Sequence, residues 1–189
     1  MKIKAYHLLF FSILVVWTSC STPSENSNGK MEVLPYYDLK GFIEQEVDKF
    51  DTAQVVILSR INQEENQSTV TLGRTELLEE LDVFLRADIN KPSLVNSYTT
   101  EVVRDFLIHQ SKPKEKTKVK EIKVRIINDR PVWITFKMAE ENMFYTSYTI
   151  GELYMNSQTD RIDHYSIETS QKIWFLKANN MKISGVIKN

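Results

Sequence analysis

The sequence predicts an α+β domain, with two helices from the N-terminal half packed on a twisted antiparallel meander sheet, and a half-barrel as the curved form of that sheet. Three observations predict it. Two segments in the N-terminal half repeat apolar residues at helical spacing, and the C-terminal half is a succession of β-branched and aromatic runs parted by short polar turns. The single cysteine among 189 residues leaves no intrachain disulfide, so packing alone has to hold the fold.

The first helix is expected from Asp38 to Phe50, where Leu39, Phe42, Ile43, Val47 and Phe50 share a face and Asp38 is placed to cap the first turn. AQVVILSRI (53–61) and STVTLG (68–73), joined through the polar QEENQ, read as a hairpin. A second helix starts at Thr75. Glu76, Glu79 and Glu80 occupy its early turns, where the helix dipole favours acids, and Leu77, Leu78, Leu81, Phe84 and Leu85 form its apolar face. It has to stop before Pro92.

Residues 98–109, YTTEVVRDFLIH, fit either a strand or a third helix, and the β-branched Thr99, Thr100, Val102 and Val103 favour the strand. Strands are then expected at 117–127, 131–138, 143–155, 159–169, 172–178 and 181–187. Their separators NDRP, AEEN, NSQTD and ANN are short enough that neighbours pair antiparallel.

The alternation along these strands is uneven. Val132, Ile134, Phe136 and Met138 make one face of their run opposite Trp133, Thr135 and Lys137, but residues 143–155 carry apolar or aromatic side chains on both faces. Two arrangements account for this. Either helices cover one face and the other carries scattered Tyr and Trp with their polar tips in water, or a curved sheet encloses an apolar pocket of the kind used by acyl-chain carriers. Trp133, Tyr148, Tyr154 and Trp174 are the candidate ligand-lining residues.

KPKEKTKVKEIKVR (112–125) holds six Lys and one Arg against two Glu, with Lys112, Lys114, Lys116, Lys118 and Lys120 at every second position. In an extended chain these share a face. The row reads as lysine protection of a sheet edge, or as an anion-binding surface in which Lys114, Lys116, Lys118 and Lys120 meet lipid phosphate or an acidic glycan.

Catalytic signatures are missing from the sequence: there is no HExxH, GxSxG, phosphate-loop or dinucleotide pattern, and an enzyme, a cofactor and a metal centre are not expected. In DRIDHY, Asp163 and His164 should point to opposite faces of a strand with Asp160 in a turn, so the three should not converge.

The N-terminus supplies an address. Lys2 and Lys4 precede the apolar run LLFFSILVVW (8–17), too short to span a bilayer, as in a secretory signal peptide. Thr18, Ser19 and Cys20 then resemble the lipobox of bacterial lipoproteins, in which cleavage falls just before a cysteine bearing a diacylglyceryl group. The usual aliphatic residue is replaced by Trp17. The resemblance implies a lipoprotein signal peptide at 1–19, lipidation with palmitate-type chains at Cys20, a flexible tether at 20–34 and a single domain at 35–189.

Removing 1–19 takes only Lys2 and Lys4 from the 24 basic residues, leaving 22 against 25 acids and a formal charge of −3, with no global basis for nucleic-acid binding. RADINKPSLVNSY (86–98), following the second helix, is similar to a segment of small uncharacterised bacterial envelope lipoproteins, a group that implies no activity. The expectation is a cell-envelope module, on the outer membrane, that binds an envelope protein, glycan or lipid. A lipid carrier with a half-barrel pocket is the alternative.

Overall fold

The computed structural model describes residues 34–188. The expected signal peptide, Cys20 and all of the tether before Leu34 lie outside the described residues. The described part is a nine-stranded, wholly antiparallel sheet with three short helices on one face.

In chain order the elements are α1 (Leu39–Val47), β1 (Thr52–Ile61), β2 (Glu64–Gly73), α2 (Arg74–Glu80), α3 (Asp82–Arg86), a 3-10 turn at Pro92–Leu94, β3 (Tyr98–Val103), β4 (Phe106–Ser111), β5 (Val119–Ile127), β6 (Arg130–Glu141), β7 (Tyr145–Met155), β8 (Ile162–Ile173) and β9 (Asn179–Lys188). The spatial order is β2-β1-β9-β8-β7-β6-β5-β4-β3. Seven strands therefore run as a meander, and the N-terminal hairpin adds to its last strand through β1 and β9. The sheet is open, with β2 and β3 as its edges, and does not close into a barrel.

Helix α1 forms where its pattern predicts. Asp38 Oδ1 accepts from the Gly41 N–H at 2.8 Å, and Leu39, Ile43 and Val47 are buried. The second expected helix is broken. Leu81 leaves the α region (φ −93°, ψ 8°), so a seven-residue and a five-residue helix bring Leu77, Leu81 and Phe84 onto the sheet where one straight rod would follow it less closely. The helix starts at Arg74 and not at Thr75, with Gly73 as a cap that offers no side chain.

Residues 98–109 are neither one strand nor a helix. Arg104 takes φ 56° and, with Asp105, turns the run into the hairpin β3–β4. The QEENQ segment is mostly strand, leaving Asn62 and Gln63 as the turn between β1 and β2. The expected strands 159–169 and 172–178 are one strand, β8, followed by a turn, because Gln171 still pairs with Asn179 across the ladder to β9. At the β5–β6 turn, Asn128 and Asp129 both take positive φ (51° and 61°), as a two-residue hairpin with primed geometry requires.

The core lies between the helices and one sheet face, from Tyr36 to Ile187 in the chain. The ring of Phe84 meets that of Phe136 edge-on at 5.2 Å, and the Tyr165 hydroxyl donates to Glu80 Oε1 at 2.5 Å, tying α3 to β6 and α2 to β8. Every strand and every core position needed for this packing falls within 34–188, so the domain carries its own folding determinants.

Strand direction sorts the connections to two ends. The β1–β2 turn, the β4–β5 loop (112–118), the β6–β7 turn (142–144) and the β8–β9 turn (174–178) share one end, here called the turn end. The chain enters the domain there as well: the Tyr36 ring packs on Tyr98, the first residue of β3, and its hydroxyl donates to the carbonyls of Leu94 and Val95.

Candidate functional site

The face without helices carries one continuous row of side chains. Register alone sets it: Phe106 pairs with Arg125, Arg125 with Trp133, Trp133 with Tyr154 and Tyr154 with His164, crossing β4, β5, β6, β7 and β8. Arg125 lies 5.8 Å from the Phe106 ring centre, and the rings of Phe106 and Trp133 meet edge-on at 6.2 Å. Trp133 and Tyr154 follow at 6.4 Å, and Tyr154 stacks on His164 at 4.3 Å with only 13° between planes.

Polar groups fix both ends of the row. Arg125 Nε donates to Asp105 Oδ2 at 2.5 Å, and this hydrogen bond holds the Asp105 carboxyl below its usual range. At the other end His164 Nδ1 and Asp163 Oδ2 are 2.8 Å apart, while Asn156 Nδ2 donates to Asp163 Oδ1 at 3.2 Å. The hydrogen bonds from His164 and Asn156 lower the Asp163 pKa.

The meeting of Asp163 and His164 overturns the expectation that they point apart. The β7–β8 register slips there, with Tyr154 opposite His164 and Met155 opposite Ile162, so Asp163 is the extra residue of a bulge. A bulge re-aims side chains that a regular strand would send to opposite faces. Asp160 does stay away, in a turn at φ 55°, paired with Arg130 at 3.2 Å. Among the described residues no group of three His, Cys, Asp or Glu side chains is placed to hold a metal ion.

Cross-strand aromatic pairs of this kind stabilise a sheet by about 0.2–1 kcal/mol each without any ligand. One atom exceeds that role. Trp133 Nε1 is shielded from solvent and has no acceptor among the described residues, although its ring belongs to the uncovered face. A shielded donor without a partner is rare in native proteins.

The four aromatic residues expected to line a pocket do not converge on one. Trp133 and Tyr154 are neighbours in the row. Tyr148 shares their face but pairs with Ala139, six residues along β7 from Tyr154, and Trp174 lies in the β8–β9 turn. The opposite face carries the core, with a cleft of about 420 Å³ between the 86–98 segment and the β4–β5 loop and one of about 370 Å³ beside α2 and α3. The lining of the latter mixes Ser147, Thr149, Thr169, Glu79, Asp82 and Arg86 with Val83, Met138, Ile167, Met181 and Ile183.

The lysine row is not a strand face. Only Lys120 falls within β5, and residues 112–118 form the β4–β5 loop. Lys112 Nζ donates to the Asn96 carbonyl at 2.6 Å, Lys118 pairs with Glu140 at 2.5 Å, and Lys120 donates to the Thr117 carbonyl. Lys114 and Lys116 are exposed, with no ion pair among the described residues. The residues that sequence reasoning missed are Phe106, Arg125 and His164. They stand level with Trp133 and Tyr154 only once register is known.

The chain matches no family model, no curated protein and no solved structure. Its chemistry is therefore read from its own side chains.

Proposed function

We propose that the protein is a lipid-anchored binding module of the bacterial envelope, held by Cys20, whose ligand surface is the row Phe106–Trp133–Tyr154–His164. The unbroken row of aromatic rings on the uncovered face, ended by Arg125 on one side and His164 on the other, carries the reading. The ligand chemistry that fits is a glycan. A sugar ring offers a C–H face to an aromatic ring and hydroxyls at its rim, and here the rings are flanked by Arg125, Glu152, Asp163 and His164 as donors and acceptors. A protein partner would more naturally use a larger, drier patch with an apolar anchor at its centre.

Titration with soluble N-acetylglucosamine oligosaccharides, followed by tryptophan emission, tests the surface. A saturable change that is lost in Tyr154→Ala supports it, and no change up to millimolar sugar removes the glycan reading. Feeding labelled palmitate tests the anchor separately. Label should enter the wild-type chain and not Cys20→Ser.

A further inference from the structure

We infer that the turn end of the sheet is a bilayer-docking surface. The β6–β7 and β8–β9 turns seat apolar side chains at the interface of an anionic membrane, and Lys114, Lys116, Lys172 and Lys177 face its phosphates. The inference uses neither the aromatic row nor Cys20.

These two turns project. β1 and β5 end or begin level with Met181, Thr149 and Met138, whereas β7 and β8 stay paired four residues further, to Tyr145 and Ile173, about 13 Å beyond at strand rise. At the tip stand Met143, Phe144, Ile173, Trp174, Phe175 and Leu176, all exposed, with Met143 at 83%, Trp174 at 75% and Phe175 at 79%. A contiguous patch of such residues marks a protein or a membrane contact.

Three features choose the membrane. Part of the tip's backbone is already satisfied: the Trp174 N–H donates to the Phe144 carbonyl at 3.0 Å, the Leu176 N–H to the Ile173 carbonyl at 3.0 Å, and the Phe144 N–H to Asn142 Oδ1 at 2.9 Å. Low-water surroundings demand that closure of polar groups. Shape is the second feature, since two narrow turns form a wedge, with Trp and Phe suited to the headgroup level.

Charge is the third. Lys172 and Lys177 bracket the apolar turn and Lys114 and Lys116 lie on the loop at the same end, all four exposed and without an ion pair among the described residues. Glu115 and Glu141 stand among them, so the local positive excess is modest and apolar contact supplies most of the attachment.

The domain 34–189 is mixed with vesicles of phosphatidylglycerol and phosphatidylcholine in equal parts, and with phosphatidylcholine alone. It should partition onto the mixed vesicles, and in a Trp133→Phe background Trp174 emission should shift to the blue and be quenched by brominated lipid. The pair Trp174→Ser/Phe175→Ser should weaken partition about tenfold or more with an unchanged melting temperature. Lys114→Glu/Lys116→Glu should erase the preference for the anionic vesicles. A folded domain that ignores both vesicles, or binds as tightly with the Trp174/Phe175 pair replaced, overturns the inference. So does a dimer in free solution that the same pair dissolves without any vesicle binding, which would assign the tip to a second copy. The Trp174/Phe175 and Lys114/Lys116 pairs lie outside the row Phe106–Trp133–Tyr154–His164, so sugar titration of those two variants with Trp133 intact keeps the two proposals apart.

Discussion

The ring of Tyr165 lies across Gly185, its paired residue on β9, so closely that a Cβ at 185 would stand 2.1 Å from the ring carbon Cζ. Phe136 covers Gly151 on β7 in the same way, at 2.2 Å. Both glycines have ordinary extended backbones, so it is space and not a special φ that excludes a side chain. Gly185→Ala and Gly151→Ala should each destabilise the domain by about 1–3 kcal/mol through overpacking. Urea midpoints measured for the two variants check this, and a midpoint within error of wild type would show that the rings move aside freely.

Asn90 joins two distant stretches. Its Oδ1 accepts from the Tyr36 N–H at 3.1 Å and its Nδ2 donates to the Tyr37 carbonyl at 2.9 Å, while its own N–H donates to Asp88 Oδ2 at 3.2 Å. The ADINKP segment thus clamps the chain where it enters the fold, a structural task for residues whose sequence suggested only a helix end. Asn90→Ala strands a half-buried donor and acceptor and should cost about 1–3 kcal/mol. The urea midpoint should fall at constant slope, since the surface exposed on unfolding is unchanged.

Helix α1 and the strands β5, β6, β7 and β9 were legible because apolar periodicity and turn residues act locally, whereas β8 read as two strands. What was missed depends on distant partners. The break at Leu81 follows the sheet beneath it, the turn at Arg104 puts a residue type that rarely takes positive φ into a hairpin, and the Asp163 bulge exists only relative to Met155 and Tyr154. The candidate surface was half visible. Trp133 and Tyr154 stood out as aromatics on the wrong side of an alternating strand, but the register that brings Phe106, Arg125 and His164 level with them joins β4 to β8 and leaves no mark in any one segment.

Glu121 carries the clearest acid-sensitive ion pair. Burial pushes its carboxyl pKa up, but the ammonium groups of Lys137 at 2.9 Å and Lys123 at 3.2 Å outweigh that and hold it below the ordinary 4.5. A depressed carboxyl contributes stability that is whole above the unfolded value and is lost as pH falls through the folded one. Stability should therefore decline below about pH 4.5. Glu121→Gln should flatten that decline while lowering stability at neutral pH, because two lysines then lose their counter-charge. Denaturant titrations of both proteins across the acid range read the difference.

A second, higher window belongs to His109. The side chain is 1% exposed, its Nε2 accepts from the Tyr37 N–H at 3.1 Å, and the proton therefore sits on Nδ1, donated to Thr100 Oγ1 at 2.9 Å. Burial pushes its pKa below the ordinary 6.5, so as pH drops the unfolded chain takes up a proton before the native one does. The stability tied to neutral His109 is complete above about pH 6.5 and falls as pH descends from there through the folded pKa, by at most about 1.4 kcal/mol per pH unit. Protonation at Nε2 would also break the bond to Tyr37, next to the Asn90 clamp, so the loosening should begin where the chain enters the fold. Melting temperatures should hold steady above neutrality and drop as the pH falls below about 6.5. His109→Gln keeps an acceptor and a donor but no titrating group, and should remove that drop while leaving the Glu121 window in place. A drop of the same size in His109→Gln would place the titration elsewhere.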